Sequence, residues 1–205
     1  MMNEANADSR NPPKGVRVVR DIVYGKGGDE DLLLDMVMPA KIHKVLPCVV
    51  MLHGGGWYTG GRASDEPLAI QLAQNGYIAA MVDYRLAPAH PFPAAVEDAT
   101  AAYRWLRKQG IAAGSIAIAG DSAGGGLTLA TLLALRDAGD ALPACAVCLS
   151  PWTDLEGTGA SAQPGGAEDP MIPVAALRDM GKLYAASALR NPLAAPLYGN
   201  YKGLP

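Results

Sequence analysis

Ile116-Ala117-Ile118-Ala119-Gly120-Asp121-Ser122-Ala123-Gly124-Gly125-Gly126-Leu127 decides the fold. A short apolar run, read as a strand over 115–119, turns without a linker into a helix over 123–137. Within the turn, Gly120-Asp121-Ser122-Ala123-Gly124 is a G-x-S-x-G. A sharp strand-to-helix turn of this kind lifts a serine hydroxyl off the end of a sheet, and small neighbours are needed because the backbone is crowded there. The helix start also favours a developing negative charge. Taken alone, the pentapeptide also leaves room for a glycine-rich turn that binds a phosphate or a dinucleotide.

Working outward, residues 16–24 and 32–38 read as two strands joined by a turn over 25–31, whose glycines and aspartates favour a bend. Residues 47–52, 77–83 and 144–150 are short, continuously apolar runs. Such runs suit strands covered on both faces, as in parallel sheets. Helical spacing is found over 64–75, closed by Gly76, and over 92–109, closed by Gly110. Apolar strands alternating with helices predict an α/β fold with a mainly parallel sheet and an antiparallel N-terminal hairpin. The alternation breaks at 152–191. A Gly/Ser/Pro-rich loop over 157–166 precedes a helix over 174–186 that carries Leu177, Met180 and Tyr184 on one face. This segment reads as an excursion above the sheet.

His53-Gly54-Gly55-Gly56-Trp57 follows the strand at 47–52. A glycine loop in that place presents backbone N–H groups to the oxyanion of an acyl-transfer intermediate, and each such donor contributes roughly 10²–10³ in rate. Glycine lets the backbone approach a substrate with no Cβ in the way. No G-x-x-x-x-G-K-[ST] occurs, so a P-loop has no lysine to work with. The two motifs, in this order and on these elements, point to acyl transfer through Ser122.

Five stretches now carry a resemblance: His53-Gly54-Gly55-Gly56, Asp83-Tyr84-Arg85-Leu86-Ala87-Pro88, His90-Pro91-Phe92-Pro93-Ala94-Ala95, Gly120-Asp121-Ser122-Ala123-Gly124-Gly125 and Ser150-Pro151-Trp152-Thr153-Asp154-Leu155. Together they resemble the hormone-sensitive-lipase-like bacterial carboxylesterases of the α/β-hydrolase fold, over about residues 45–205. The hairpin looks more like that of related acetyl-esterase groups. The resemblance implies hydrolysis of short-chain carboxylic esters with no cofactor and no metal. It makes Ser122 the nucleophile and the N–H groups of Gly55, Gly56 and Ala123 the oxyanion hole. Residues 16–205 read as one hydrolase domain after a loose tail at 1–15, and the resemblance makes 152–190 a small helical cap. A lactonase or deacetylase on the same site, or a ligand-binding relative without a base, are the alternatives.

In this fold the triad runs Ser, acid, His along the chain. No histidine follows Ser122; His43, His53 and His90 all precede it. The acid and histidine are therefore expected beyond Pro205, after last strands that the sequence lacks. Weak or no turnover by these residues alone is expected, because an unassisted hydroxyl is a poor nucleophile. Asp154 and Asp169 imitate the acid by position and by an Asp-Pro pair but are not expected to be catalytic. If 144–150 ends the sheet, its apolar edge invites aggregation or a homo-oligomer.

The rest of the sequence excludes more than it adds. The chain has 205 residues, half of them hydrophobic, with a net charge of −3 and no basic stripe, which argues against a nucleic-acid partner. No run of about 18 apolar residues exists to span a membrane. The polar residues 1–14 lack the apolar core of a signal peptide, so a cytoplasmic location and a small-molecule ester as partner are expected. Cys48, Cys145 and Cys148 sit in apolar runs and are not read as a metal or redox site. His53 is read as shaping its loop, His90 and His43 as structural or surface residues. Asp83 and Arg85 are read as loop anchors. Trp57 and Tyr58 flank the glycine loop and suit either a pocket wall or packing.

Overall fold

The computed structural model describes residues 12–163, 165, 166 and 169–205. Six strands form one sheet: β1 (Val16–Gly27), β2 (Glu30–Pro39), β3 (Cys48–Leu52), β4 (Ile78–Val82), β5 (Ile116–Asp121) and β6 (Cys145–Leu149). Four α-helices accompany them: α1 (Glu66–Gln74), α2 (Ala94–Lys108), α3 (Ser122–Asp137) and α4 (Val174–Ala185). The strand order is β1-β2-β4-β3-β5-β6. β1, β2 and β4 pair antiparallel, whereas β4, β3, β5 and β6 pair parallel.

The side-chain alternation of β4 shows how the core divides. Ala79 and Met81 pack with Ala69 and Ala73 of α1 on one face. Ala80 and Val82 belong to the larger core on the other face, with Tyr103 and Leu106 of α2 and Leu127 and Leu135 of α3. A strand covered on both faces has no polar side to show, which is why 78–82 carries no polar residue.

Two expectations need correction. The bend in the hairpin is not 25–31: β1 runs to Gly27 and β2 begins at Glu30, with only Gly28 and Asp29 between them. Gly25 and Lys26 are held in the ladder by pairing with Leu32 and Asp31, so partner strands overrule the turn-forming residues. β6 is not buried on both faces. It lies at the sheet edge, and Val147 and Leu149 are 47% and 54% exposed. Cys145 and Cys148, an odd number of positions apart on this strand, fall on opposite sides of it. The tail expected at 1–15 lies largely outside the described residues.

The order of the sheet places the site. From β3 the chain moves to β4 on one side and then crosses to β5 on the other. The loops leaving the carboxyl ends of β3 and β5 therefore diverge, and the crevice between them is where open α/β sheets bind ligands. The His53–Gly56 loop leaves one end and Ser122 starts the helix at the other.

Candidate active site

Ser122 has φ 50°, a left-handed conformation that a residue with a Cβ avoids. Among the described residues it is one of five non-glycine residues with positive φ, and Trp57 at 61° and Ser150 at 46° are two more. These three lie past the carboxyl ends of β5, β3 and β6, so backbone strain gathers at one end of the sheet, as it does at functional sites. The strained turn is held by its surroundings: Trp152 N–H donates to Ser122 O at 2.8 Å.

Three consecutive glycines open α3, a costly start for a helix. Close approach explains all three: a Cβ would meet Pro151 at Gly125, Trp152 O at Gly126 and the end of β3 at Gly124. A Cβ on Gly124 would fall far inside van der Waals contact distance of Leu52 O and 2.6 Å from His53 O. The helix thus begins directly against the end of β3, which brings Ser122 and the glycine loop together.

That loop is built from both ends. Tyr84 OH donates to His53 O at 2.6 Å, and its ring stacks on the imidazole with centroids 4.2 Å apart. His53 Nδ1 lies 2.7 Å from Gly54 O. Burial lowers the His53 pKa from its ordinary value, more than the contact with Gly54 O and the nearby Asp83 and Asp121 raise it. The neutral ring therefore donates from Nδ1 to Gly54 O and shapes the loop, as its place in the motif suggests. Gly55 accepts N–H bonds from Tyr58 and Thr59 at 3.3 and 3.1 Å, closing a tight turn at φ 106°. Among the described residues the N–H groups of Gly55 and Gly56 donate to no acceptor. Ala123, in the first turn of α3, has an N–H with no partner inside the helix.

Ser122, Gly55 and Gly56 border a cavity of about 630 Å³. Its remaining wall is mostly apolar and comes from Tyr58, Trp152 and the segment running from Met171 into α4, with Met180 and Leu183 prominent. The helical face read from the sequence is real but does two jobs. Tyr184 is buried in the core, while Met180 is half-buried and lines the cavity. Trp57 and Tyr58 divide in the same way. Trp57 is 1% exposed and packs between Trp152 and Tyr184; Tyr58 lines the cavity.

The remaining candidates sit in structural bonds. Asp154 accepts N–H bonds from Glu156 and Gly157 at 3.1 Å and the Thr158 hydroxyl at 2.8 Å, tying its own loop. Asp169 accepts from the N–H groups of Met171 and Ile172. Asp83 pairs with Arg62, and Arg85 with the buried Asp98, both as loop anchors. His90 Nε2 stands 3.7 Å from Glu30, and His43 lies in an exposed loop. Among the described residues no hydrogen bond reaches the Ser122 hydroxyl, and no group of three or more His, Cys, Asp or Glu is placed to hold a metal ion. Asp65 escaped the sequence reading. Its carboxyl lies close enough to Asp121 to feel its charge, and nothing in the local sequence signals that proximity.

Comparison with known proteins agrees with this geometry. Residues 49–205 match the alpha/beta hydrolase fold family. An acetyl-hydrolase of Streptomyces hygroscopicus is 47% identical over 159 residues, covering 77% of this chain and 53% of that protein. The carboxylesterase NlhH of Mycobacterium tuberculosis (strain CDC 1551 / Oshkosh) is 38% identical over 126 residues, 59% of this chain and 40% of its own length. The crystal structure of an esterase from the bacterial hormone-sensitive lipase family superposes with a TM-score of 0.84 at 38% identity, covering 95% of this chain and 64% of that one. The chain thus spans about half the length of the curated relatives it matches. No described helix is long and apolar enough to cross a membrane. The family match, the neighbouring structure and the strained serine beside a glycine loop agree: the chain belongs to the α/β-hydrolase fold family, in its hormone-sensitive-lipase-like branch.

Proposed function

We propose that the chain carries the nucleophile and oxyanion site of a serine carboxylesterase acting on small, uncharged esters. The observation that carries this reading is Ser122, held at φ 50° on the border of an apolar cavity whose same end is formed by Gly55 and Gly56. In the proposed reaction Ser122 Oγ attacks the ester carbonyl carbon and its proton passes to a general base. The carbonyl oxygen becomes an oxyanion that accepts from the N–H groups of Gly55, Gly56 and Ala123. The alcohol leaves with a proton, and water then hydrolyses the acyl-serine. The base is a histidine other than His43, His53 and His90, since His53 is committed to Gly54 and the other two are turned to other surroundings. Residues 152–190 act as the cap, because Trp152, Met171 and α4 supply the cavity wall opposite the glycine loop. Pairing through β6 into a homo-oligomer is a further part of the proposal, supported by its exposed Val147 and Leu149.

The test is release of p-nitrophenol from p-nitrophenyl butyrate by the chain and by Ser122→Ala, each with and without added imidazole as a surrogate base. Faster release by the unmodified chain in either condition supports the reading. Identical rates in both conditions overturn it. The likeness to a protein named acetyl-hydrolase favours acetyl esters as a second arm, so p-nitrophenyl acetate belongs in the same panel.

A further inference from the structure

Gly56 is wedged between two side chains from different elements. A Cβ built on it would stand 3.0 Å from Tyr58 Cε1 and 3.1 Å from Met180 Sδ. Tyr58 comes from the glycine loop and Met180 from the middle of α4, and both line the same cavity as Ser122. Tyr58 and Met180 therefore crowd the cavity wall at Gly56, whose N–H faces the reacting carbonyl in the esterase reading. Farther out it opens toward Met171 and Leu183, which are 84% and 50% exposed. A site crowded at its reacting end and exposed beyond it tolerates length better than width next to the carbonyl.

Crowding directly at the carbonyl is felt first on the acyl side. The alkoxy oxygen of an ester carries a single further substituent and cannot branch. The acyl α-carbon can. We propose that Met180 and Tyr58 are specificity-determining residues that admit straight-chain acyl groups and exclude acyl groups branched at the α-carbon. The proposal rests on the esterase reading of Ser122 and Gly56, and it goes further by naming the substrate class. Met180 is the adjustable wall, because an unbranched thioether repacks around different chains. Tyr58 is the wall fixed by the loop, its backbone held by its own N–H to Gly55 O at 3.3 Å.

The experiment measures kcat/KM for p-nitrophenyl butyrate, hexanoate and pivalate with the chain, Met180→Ala, Tyr58→Ala and Ser122→Ala, with imidazole present. One added or missing methyl in an apolar pocket changes selectivity roughly 10–200-fold, so the pivalate-to-butyrate ratio is expected to rise at least about tenfold in Met180→Ala and in Tyr58→Ala. The hexanoate-to-butyrate ratio is expected to move by less than about threefold, because only the neck is widened. A pivalate-to-butyrate ratio within twofold of the unmodified chain overturns the proposal. Should Met180→Ala lose its cooperative melt, Tyr58→Ala decides alone from the opposite wall. Equality of the unmodified chain with Ser122→Ala on every ester is a failure of the esterase reading and is recognised as such. The neck is then judged by binding of methyl butyrate and methyl pivalate, read from tryptophan fluorescence, to which Trp152 in the cavity wall contributes. A shift of their Kd ratio in either variant supports the neck, and an unchanged ratio overturns it.

Discussion

The indole of Trp57 lies on the ring of Tyr184, with centroids 4.2 Å apart and planes 7° from parallel. One residue directly follows the glycine loop and the other lies in the last turn of α4, so the stack ties the two walls of the cavity to each other. Phe92 strengthens the joint: its N–H donates to Tyr184 O at 2.8 Å and its ring meets Tyr184 edge-on. Ala87 N–H donates to Trp57 O, which holds the strained residue from the opposite side.

This joint predicts a measurable coupling. Trp57→Ala is expected to lower stability by about 3–5 kcal/mol, as removal of a large buried aromatic does. Tyr184→Ala costs a similar amount, but the double variant loses less than the sum by about 1 kcal/mol, the worth of a stacked pair. Urea denaturation of the four proteins supplies the cycle. Strict additivity would mean that the rings pack independently and that α4 is held by something else.

Gly124 carries the contact between α3 and β3, and its prediction is the sharpest sterically. A methyl there meets backbone oxygens of Leu52 and His53, which cannot rotate away. Overpacking a rigid site costs about 1–3 kcal/mol or more, and here α3 must shift as a unit, moving Ser122 away from Gly55 and Gly56. Gly124→Ala should therefore lower the melting temperature. Gly139→Ala serves as the comparison: it has open space around it, so only its positive φ opposes the change. Equal melting temperatures for the two variants would contradict the close-approach account.

How far the sequence reaches is clear from these same residues. The strand at 47–52 was legible because a run apolar on both faces has few other homes, and Gly120–Gly124 because the chemistry needs small residues around a lifted serine. β6 looked the same as β3 in composition. Whether such a run is covered depends on its neighbours, and at the edge Val147 and Leu149 are left facing out. Trp57 and Tyr58 are adjacent aromatics that sequence could not separate. The positive φ at Trp57 sends one into the core and the other to the cavity. The helical period read over 174–186 placed Met180 and Tyr184 on one face correctly, although α4 ends at Ala185. That Met180 rests on Gly56 is a property of how α4 docks, and docking is not periodic.

Arg85 and Asp98 test how a buried ion pair holds a loop. Asp98 is 1% exposed and takes bonds from Arg85 N at 2.8 Å, Nε at 2.9 Å and a terminal nitrogen at 2.8 Å. Arg85→Met strands that carboxylate among apolar neighbours, which costs about 3–5 kcal/mol. Adding Asp98→Asn removes the stranded charge yet still accepts the backbone N–H, so the double variant should recover part of the loss. Lys26, paired with Asp31 at the surface, is the contrast; Lys26→Ala should change stability by no more than about 1 kcal/mol. Chemical denaturation at neutral pH measures all three. A double variant less stable than Arg85→Met would show that the charge was not the source of the cost.

Asp65 gives the fold a pH dependence of predictable sign. Burial pushes its carboxyl up to about 6 from an ordinary 3.8, and the carboxylate of Asp121, next to Ser122, adds to the push. Between those two values the folded chain holds a proton that the unfolded chain releases. Stability is therefore greatest below about 3.8, falls as pH rises through about 6, and has lost this contribution above it. Asp154, whose burial is outweighed by hydrogen bonds from Thr158 and Glu156, is shifted downward and titrates below this window, so it does not mask the effect. Solvent reaches part of Asp65, which reduces the expected size to about 1 kcal/mol. Asp65→Asn keeps the shape and removes the titration. Its stability relative to the unmodified chain should rise by that amount between pH 4 and pH 7, measured by urea denaturation at each pH. A constant difference across the range would mean that Asp65 carries its charge at no cost and that the Asp65–Asp121 repulsion is absent.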